Sequence, residues 1–236
     1  LLEIGRQKRP SVYDLFADKP PVLVPRRLRR EVGERMAYDG KVVESLDVDS
    51  ATREVRGLVA EGIEALAIGF LHAYAKPAHE RQVRNLARKL APHLYVSASH
   101  ELTSEFREYE RFLTTVLNAY VGAALDGYLR RLVAGLSRLA LAAEPHIIQS
   151  NGGLMSATAA CERPVRTILS GPSAGVVGAA RVASQAGLPN VITLDMGGTS
   201  TDVSLLRDGK VSVESGQKVA GYSIRVPAVA IHTIGA

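Results

Sequence analysis

Cysteine is nearly absent: Cys161 stands alone among 236 residues. No disulfide framework can form within the chain, and a reducing compartment, the cytoplasm, is the natural expectation. Tryptophan is missing and aromatics reach only 5%, which leaves little for stacking nucleic-acid bases. No apolar run approaches the roughly 18–20 residues of a membrane span, and Leu1-Leu2-Glu3-Ile4-Gly5-Arg6 does not read as a signal peptide. His72, His79, His93, His100, His146 and His232 fall in no His-Glu-x-x-His or other dense metal spacing, so no zinc site can be read. There is no initiator Met, and Ile231-His232-Thr233-Ile234-Gly235-Ala236 stops without a polar tail. The sequence therefore reads as a fragment of a longer protein.

What is present is ordinary for a soluble globular chain: 46% apolar and 22% charged residues. Of the net charge of +5, residues 1–35 carry nine basic and five acidic side chains, or +4. Pro25-Arg26-Arg27-Leu28-Arg29-Arg30 is the densest basic patch and contains no aromatic residue, so a solvated strand edge is expected there, ahead of nucleic-acid contact.

The first hundred residues alternate between strand and helix patterns. Runs at 28–36 and 41–46 flank Asp39-Gly40, a hairpin signal. Asp49 or Ser50 is expected to cap a helix ending at Gly62. Residues 65–74 are nearly all apolar, as in a strand covered on both faces. A helix from Pro77 to about Leu90 and a strand over 94–99 complete a pattern that implies a mostly parallel or mixed sheet with helical cover. Residues 108–139 repeat apolar positions at three and four, predicting a helix of about 45 Å bent by Gly122, Gly127 or Gly135; its stripe reads as core packing, not a cofactor box.

From Ala143 onward the texture turns rich in Gly, Ser and Thr, with charges nearly balanced at seven basic to six acidic. Strands are expected over 146–149, 165–169 and 191–194, each entering a small-residue loop, with a helix over 174–186 and a hairpin around Asp208-Gly209. Ser170-Gly171-Pro172-Ser173-Ala174-Gly175 lacks the Gly-Lys-Ser/Thr ending of a P-loop and misses the dinucleotide spacing; Ser173 is expected to cap the following helix. Asn151-Gly152-Gly153 reads as a loop with left-handed residues. Cys161, beside Glu162 and Arg163 with no readable histidine partner, reads as packing.

Asp195-Met196-Gly197-Gly198-Thr199-Ser200-Thr201-Asp202 is the best candidate site. Successive glycines let the backbone approach a bulky anion, and the N–H groups of Gly197, Gly198 and Thr199 could point at phosphate oxygens. The hydroxyls of Thr199, Ser200 and Thr201 add donors. Asp195 could hold Mg²⁺ through water, and Asp202 could do likewise or orient an attacking water. On pattern alone, a plain hairpin turned by Gly-Gly and capped by Asp195 stands equally open.

At this point the sequence resembles the hydantoinase A/5-oxoprolinase family. The likeness is carried by residues 2–7, Arg9-Pro10, Tyr13-Asp14-Leu15, Val24-Pro25-Arg26-Arg27, Glu34-Arg35, Glu108-Tyr109-Glu110-Arg111 and Asn118-Ala119-Tyr120. It continues through residues 149–153, Ser170-Gly171-Pro172, Gly175-Val176 and 194–202. That family is similar to actin-like and sugar-kinase ATPases, whose second phosphate loop is an Asp-x-Gly-Gly-Thr hairpin.

The resemblance implies a partial actin-like, ribonuclease H-like fold of class α/β (α+β), with mixed sheets and helical cover. Residues 1–100 would be the remainder of an N-terminal domain and 101–236 the first part of the catalytic ATPase domain. It implies ATP and Mg²⁺ as cofactors, with Gly197, Gly198, Thr199, Ser200 and Thr201 at the nucleotide and Asp195 and Asp202 as catalytic carboxylates, Asp195 at the metal. The activity implied is ATP-coupled opening of a cyclic amide, 5-oxoproline or a hydantoin. The partners implied are a hydantoinase B-like subunit or domain and an oligomeric assembly, with no nucleic acid and no membrane. An acetone carboxylase-like ligase subunit and a non-catalytic assembly module are the alternatives. The first phosphate loop of such a family member is missing upstream of Leu1, so the isolated chain is expected to turn over no ATP.

Overall fold

The computed structural model describes residues 1–6, 11–141 and 144–235. Gln7, Arg9 and Pro10 of the N-terminal likeness, Ala143 at the change of texture, and Ala236 lie outside the described residues. The chain divides into two compact units, Leu1–Ala124 with Lys218–Arg225, and Leu125–Gln217 with Val226–Ala236.

In the first unit, β1 (Arg35–Met36) and β2 (Val42–Glu44) form the antiparallel hairpin expected around Asp39-Gly40. Gly40 sits at φ +82, a conformation that L side chains resist. The preceding arginines form no strand edge. Arg26–Leu28 is a single 3₁₀ turn. Arg27 and Arg30 pair with Glu61, and Arg29 with Glu3, so acids within the chain already offset part of the patch.

Helix α1 (Val48–Ala60) buries Ala51, Val55 and Leu58 at the expected spacing. Its cap is Asp47, whose carboxylate accepts from the Ser50 N–H at 2.8 Å, not Asp49 or Ser50. Strand β3 (Ala65–Ile68), helix α2 (Ala78–Leu90) and strand β4 (Tyr95–Ala98) follow, and β3 and β4 pair in parallel. Ala51, Val55, Ile68, Val83, Ala87, Val96 and Ala98 make one core between helices and strands.

The strand expected over 65–74 stops at Ile68. A Cβ on Gly69 would stand 2.6 Å from the Phe112 ring, and the Phe70 N–H is taken by a side chain, the Glu80 carboxylate, at 2.9 Å. Glu80, in the first turn of α2, is fully buried. Its other donors are the Ser99 hydroxyl at 2.6 Å, the His100 N–H at 3.0 Å and His100 Nδ1 at 2.7 Å. One carboxylate thus ties together the loop after β3 and the start of α3 (Ser99–Leu102), which follows β4 directly. Arg111 closes the same node, donating to the Phe70 carbonyl at 2.7 Å. Its Nε and Nη1 find no hydrogen-bond partner among the described residues; the rings of Tyr74 and Phe112, each 5.4 Å away, lie against the guanidinium instead.

Arg111 belongs to α4 (Glu108–Arg138), a continuous helix of 31 residues. Gly122 does not break it; the missing side chain there makes room for the Tyr95 ring.

In the second unit, β5 (His146–Ile148) and β6 (Leu154–Ser156) form a hairpin, followed by α5 (Ala157–Glu162). The strand expected over 165–169 is a 3₁₀ turn at Pro164–Thr167, closed by the Thr167 hydroxyl on the Pro164 carbonyl at 2.8 Å. Leu169 then turns left-handed at φ +63 and α6 (Ser170–Gln185) begins four residues earlier than expected. Pro172 suits a first helical turn because no N–H is needed there. Ser173 is therefore inside the helix and is not its cap; its hydroxyl donates to the Ser150 carbonyl at 2.7 Å.

Strands β7 (Val191–Met196) and β8 (Ser200–Arg207) make the central hairpin, extended by β9 (Lys210–Val211). The β8–β9 turn, Asp208-Gly209, has φ of +50 and +71, as a primed turn requires. After β10 (Val213–Glu214), the strands β11 (Gln217–Val219) and β12 (Tyr222–Ile224) fall largely within the first unit. There the Tyr222 hydroxyl donates to the Pro21 carbonyl, and the Arg225 N–H donates to the Thr114 hydroxyl at 2.9 Å. β13 (Ala228–Val229) pairs back with β10, and β14 (Ile231–Gly235) pairs with β8, giving the order β14-β8-β7.

Removing the carboxylate at position 80 strands the four donors that meet it. Glu80→Ala should lower the unfolding free energy by about 3 kcal/mol or more, read from urea denaturation; a loss under about 1 kcal/mol would mean the node is dispensable.

Candidate functional site

The β7–β8 hairpin sorts its residues by the period-two rule. Register pairs Val191 with Leu206, Thr193 with Ser204 and Asp195 with Asp202, so these six residues share one face. At the far end that face is apolar: Leu206 and Val191 pack with Val176 and Ala180 of α6, and with Val211, Val229 and Ile231. Towards the turn it becomes polar. Asp195 and Asp202 stand directly opposite one another, and Oδ2 of Asp195 lies 3.8 Å from where a Cβ on Gly175 would be, which places the carboxylate beside α6. The opposite face carries Ile192, Leu194 and Met196 at 60–70% exposure, with Ile234 beside them.

Two like charges in direct register destabilise a strand pair unless something of opposite sign or a donor offsets them. Part of the offset comes from β14. Its register puts Thr233 opposite Asp202, and the Thr233 hydroxyl donates to Asp202 Oδ1 at 2.6 Å. The remaining carboxylate oxygens are the donor set that a hard divalent cation accepts, since Mg²⁺ uses one or two carboxylates and keeps several waters.

The turn itself is Gly197-Gly198-Thr199. The Gly197 N–H is occupied, donating to the Ser200 carbonyl at 2.9 Å, which closes the hairpin and withdraws it from the expected phosphate donors. The N–H groups of Gly198 and Thr199 have no backbone partner among the described residues. Neither Gly197 nor Gly198 uses positive φ, and a Cβ added at Gly198 would meet nothing within 4 Å. The fold thus needs neither glycine's backbone freedom nor its smallness at position 198. The room left there opens to solvent, beside two free donors and two carboxylates.

Of the remaining residues singled out in the sequence, Ser200 lies at the hairpin closure, opposite Gly197 and Gly235, whereas Thr201 pairs with Met196 and Ile234 on the face away from the aspartates. Asn151-Gly152-Gly153 is a packed loop. Gly152 adopts φ +81, and Val177 lies 2.6 Å from where its Cβ would be. The buried Ser150 ties that loop down through the Arg166 and Val229 backbones. Thr233 escaped the sequence reading, because only the β8–β14 register brings it to Asp202; so did the Glu80–His100 pair.

The histidines take structural or exposed positions. His79 bonds Glu34 at 2.8 Å, His100 bonds Glu80, and His72 bonds the Tyr74 hydroxyl at 3.1 Å. His93, His146 and His232 are exposed. No cluster of three or more His, Cys, Asp or Glu able to hold a metal occurs among the described residues. Cys161 is half-buried in α5, and burial, together with the Asp126 carboxylate, raises its thiol above the ordinary value.

The chain is a mixed α/β protein with a small antiparallel sheet, a helix against one face and a glycine turn flanked by two aspartates. Comparison with known proteins makes this specific. The hydantoinase/oxoprolinase N-terminal region matches residues 1–91, and hydantoinase/oxoprolinase matches residues 111–236. The chain belongs to the hydantoinase/oxoprolinase family.

Among its relatives, the caprolactamase subunit alpha of Pseudomonas jessenii is 33% identical over 235 residues, covering 100% of this chain and 34% of the relative. The crystal structure of the ATP-dependent caprolactamase from that organism matches with a TM-score of 0.86 at 35% identity, over 100% of this chain and 34% of that one. A nucleotide-free structure of acetone carboxylase, from work on ATP-dependent acetone carboxylation, matches with a TM-score of 0.83 at 31% identity, over 92% and 31% of the two chains. The 5-oxoprolinase of Saccharomyces cerevisiae is 36% identical over 200 residues, 83% of this chain and 15% of the relative. The chain thus spans about a third or less of the length of these relatives.

Two measurements check these assignments. Gly198→Ala should leave stability unchanged or raise it by about 0.5 kcal/mol, since neither φ nor packing opposes the methyl; a marked drop in the urea midpoint would show that the fold needs the glycine. Iodoacetamide should modify Cys161 at a rate still climbing at pH values where an unstructured thiol has levelled off. Asp126→Asn should move that profile towards lower pH, because it removes a negative charge that opposes the thiolate.

Proposed function

We propose that this chain is part of an ATP-dependent enzyme that opens a cyclic amide, with the Asp195–Asp202 hairpin as one wall of its nucleotide site. In this reading the N–H groups of Gly198 and Thr199, with the Thr199 and Ser200 hydroxyls, receive phosphate oxygens. Asp195 and Asp202 hold the water shell of Mg²⁺. The observation that carries the reading is the unfilled space over Gly198, which neither backbone conformation nor packing demands, next to two N–H groups with no backbone partner and a facing pair of carboxylates.

When bound, magnesium-ATP would supply a phosphoryl group to the amide oxygen, making the ring carbon electrophilic enough for water to add and the ring nitrogen to leave, the phosphoryl group then being released as inorganic phosphate by hydrolysis. This chain's own contribution is to bind and orient. Fixed backbone dipoles at the turn meet developing negative charge without reorganising, which is the larger part of phosphoryl-transfer catalysis. Asp202, held on one oxygen by Thr233, keeps its other oxygen available to a water or to the cation's shell.

The names of the relatives support the substrate class, since caprolactamase and 5-oxoprolinase both act on lactams. Acetone carboxylase supports a second reading, an ATP-using ligase subunit, on the same scaffold. Because a relative is named as a subunit, a further subunit of the hydantoinase B type and an oligomeric assembly belong to the proposal. So do a cytoplasmic location, which suits a lone thiol, and a division into a domain remainder over 1–100 and an ATPase portion over 101–236.

Titration of the labelled chain with Mg·ATP should shift the amide resonances of Gly198 and Thr199, and Gly198→Ala should abolish the shifts while leaving the rest of the spectrum intact. In the full-length protein with its partner, ATP hydrolysis should rise with 5-oxoproline, a hydantoin or caprolactam and not with a ketone plus bicarbonate, and Asp195→Ala should lower it by about 10²-fold. Stimulation by ketone and bicarbonate alone would select the ligase. A folded Asp195→Ala protein with unchanged ATPase would leave the hairpin a packing element.

A further inference from the structure

We infer that Thr233 is the positioning residue that makes Asp202 a ligand-ready carboxylate, an inference that rests on the proposed nucleotide site and deepens it. Three features lead there. Register places Thr233 across from Asp202 and on the face that Asp195 shares. The hydroxyl reaches Asp202 Oδ1 at 2.6 Å, within the short range of charge-assisted bonds. The threonine is itself solvent-exposed, where water could hydrate the carboxylate equally well, so the bond is not needed to satisfy a buried group.

An aspartate on a strand facing another aspartate swings away from its neighbour unless held, because repulsion between the two favours splayed rotamers. A donor on one oxygen fixes the carboxylate plane and lowers that repulsion. It leaves the second oxygen, with those of Asp195, as a convergent set for a divalent cation carrying a nucleotide's phosphates. The hydroxyl of Ser204, one pair further along this face, is spent on the Ala230 carbonyl at 2.8 Å, and that of Thr193 on the Ser204 carbonyl at 3.3 Å. Thr233 is the hydroxyl in this row that reaches a carboxylate.

The test uses Mn²⁺ and ADP on the isotopically labelled 236-residue chain. In the unsubstituted protein, Mn²⁺ should broaden the amide resonances of Asp195, Gly198 and Asp202. Thr233→Val, equal in shape but without the hydroxyl, should need about tenfold more Mn²⁺ for the same broadening, the scale of a hydrogen bond to a charged group. Thr233→Ser should stay within about twofold of the unsubstituted chain. Shifts caused by ADP in EDTA should be alike in all three, which a merely structural role would not predict. Should Thr233→Val lose its native spectrum, Thr233→Ala gives the same reading without the branched side chain. Mn²⁺ broadening that is equal in the hydroxyl-free variants and the unsubstituted chain overturns the role of Thr233 alone. Absence of broadening in the unsubstituted chain overturns the cation assignment of Asp195 and Asp202 and the role of Thr233 together.

Discussion

A slip of one residue between β7 and β8 would carry Asp202 to the face that bears Met196 and Leu194 and leave Asp195 without a counterpart. Everything at the turn depends on that register, and its determinants lie at the other end of the hairpin. Leu206 is almost wholly buried against α6 and pairs with Val191, so a slip would expose it. The Asp208-Gly209 turn, left-handed at both residues, fixes where β8 must reverse into β9. The apolar end of the face thus sets the geometry that the polar end uses, and the two are separated by one row of hydroxyl pairs.

The first unit is organised on a different principle. Its core is apolar and conventional, but the loops after β3 and β4 are held by a buried charge with four donors. Such a node contributes little net energy when complete and costs much when broken. Its value is geometric: it fixes the start of α4 against both loops through Arg111 and the Phe70 carbonyl. Burial lowers the guanidinium's proton affinity from its ordinary value, and the nearby Glu80 and Glu108 oppose that effect.

Much of this was legible in the sequence because it is local. The helices α1, α2 and α4 follow from apolar spacing, the two tight hairpins from Asp-Gly, and the candidate turn from Gly-Gly between short β-branched runs. The failures are equally specific. Pro164 and Pro172 together shift a helix start by four residues, where β-branched Val165 and Ile168 invited a strand. The cap of α1 moved to Asp47 because Asp47, Asp49 and Ser50, within four positions, each carry a side-chain oxygen able to cap it. Glu80 with His100, and Thr233 with Asp202, were invisible for a different reason: each pair is separated by twenty residues or more and meets only through folding. The basic patch, expected as a strand edge, is a 3₁₀ turn, and charge counted along the chain does not show that Glu3 and Glu61 return to it.

The hairpin Gln217–Ile224 is spelled late in the chain yet completes the earlier unit, where Tyr222 secures the Pro21 backbone and Arg225 secures Thr114. A gene truncated anywhere between these two stretches yields an N-terminal product stripped of its last two strands, with the Thr114 hydroxyl left lacking its backbone donor. Anyone cloning the halves separately would do better to supply 218–225 in trans as a peptide, or to graft it onto the end of the shorter product through a flexible linker.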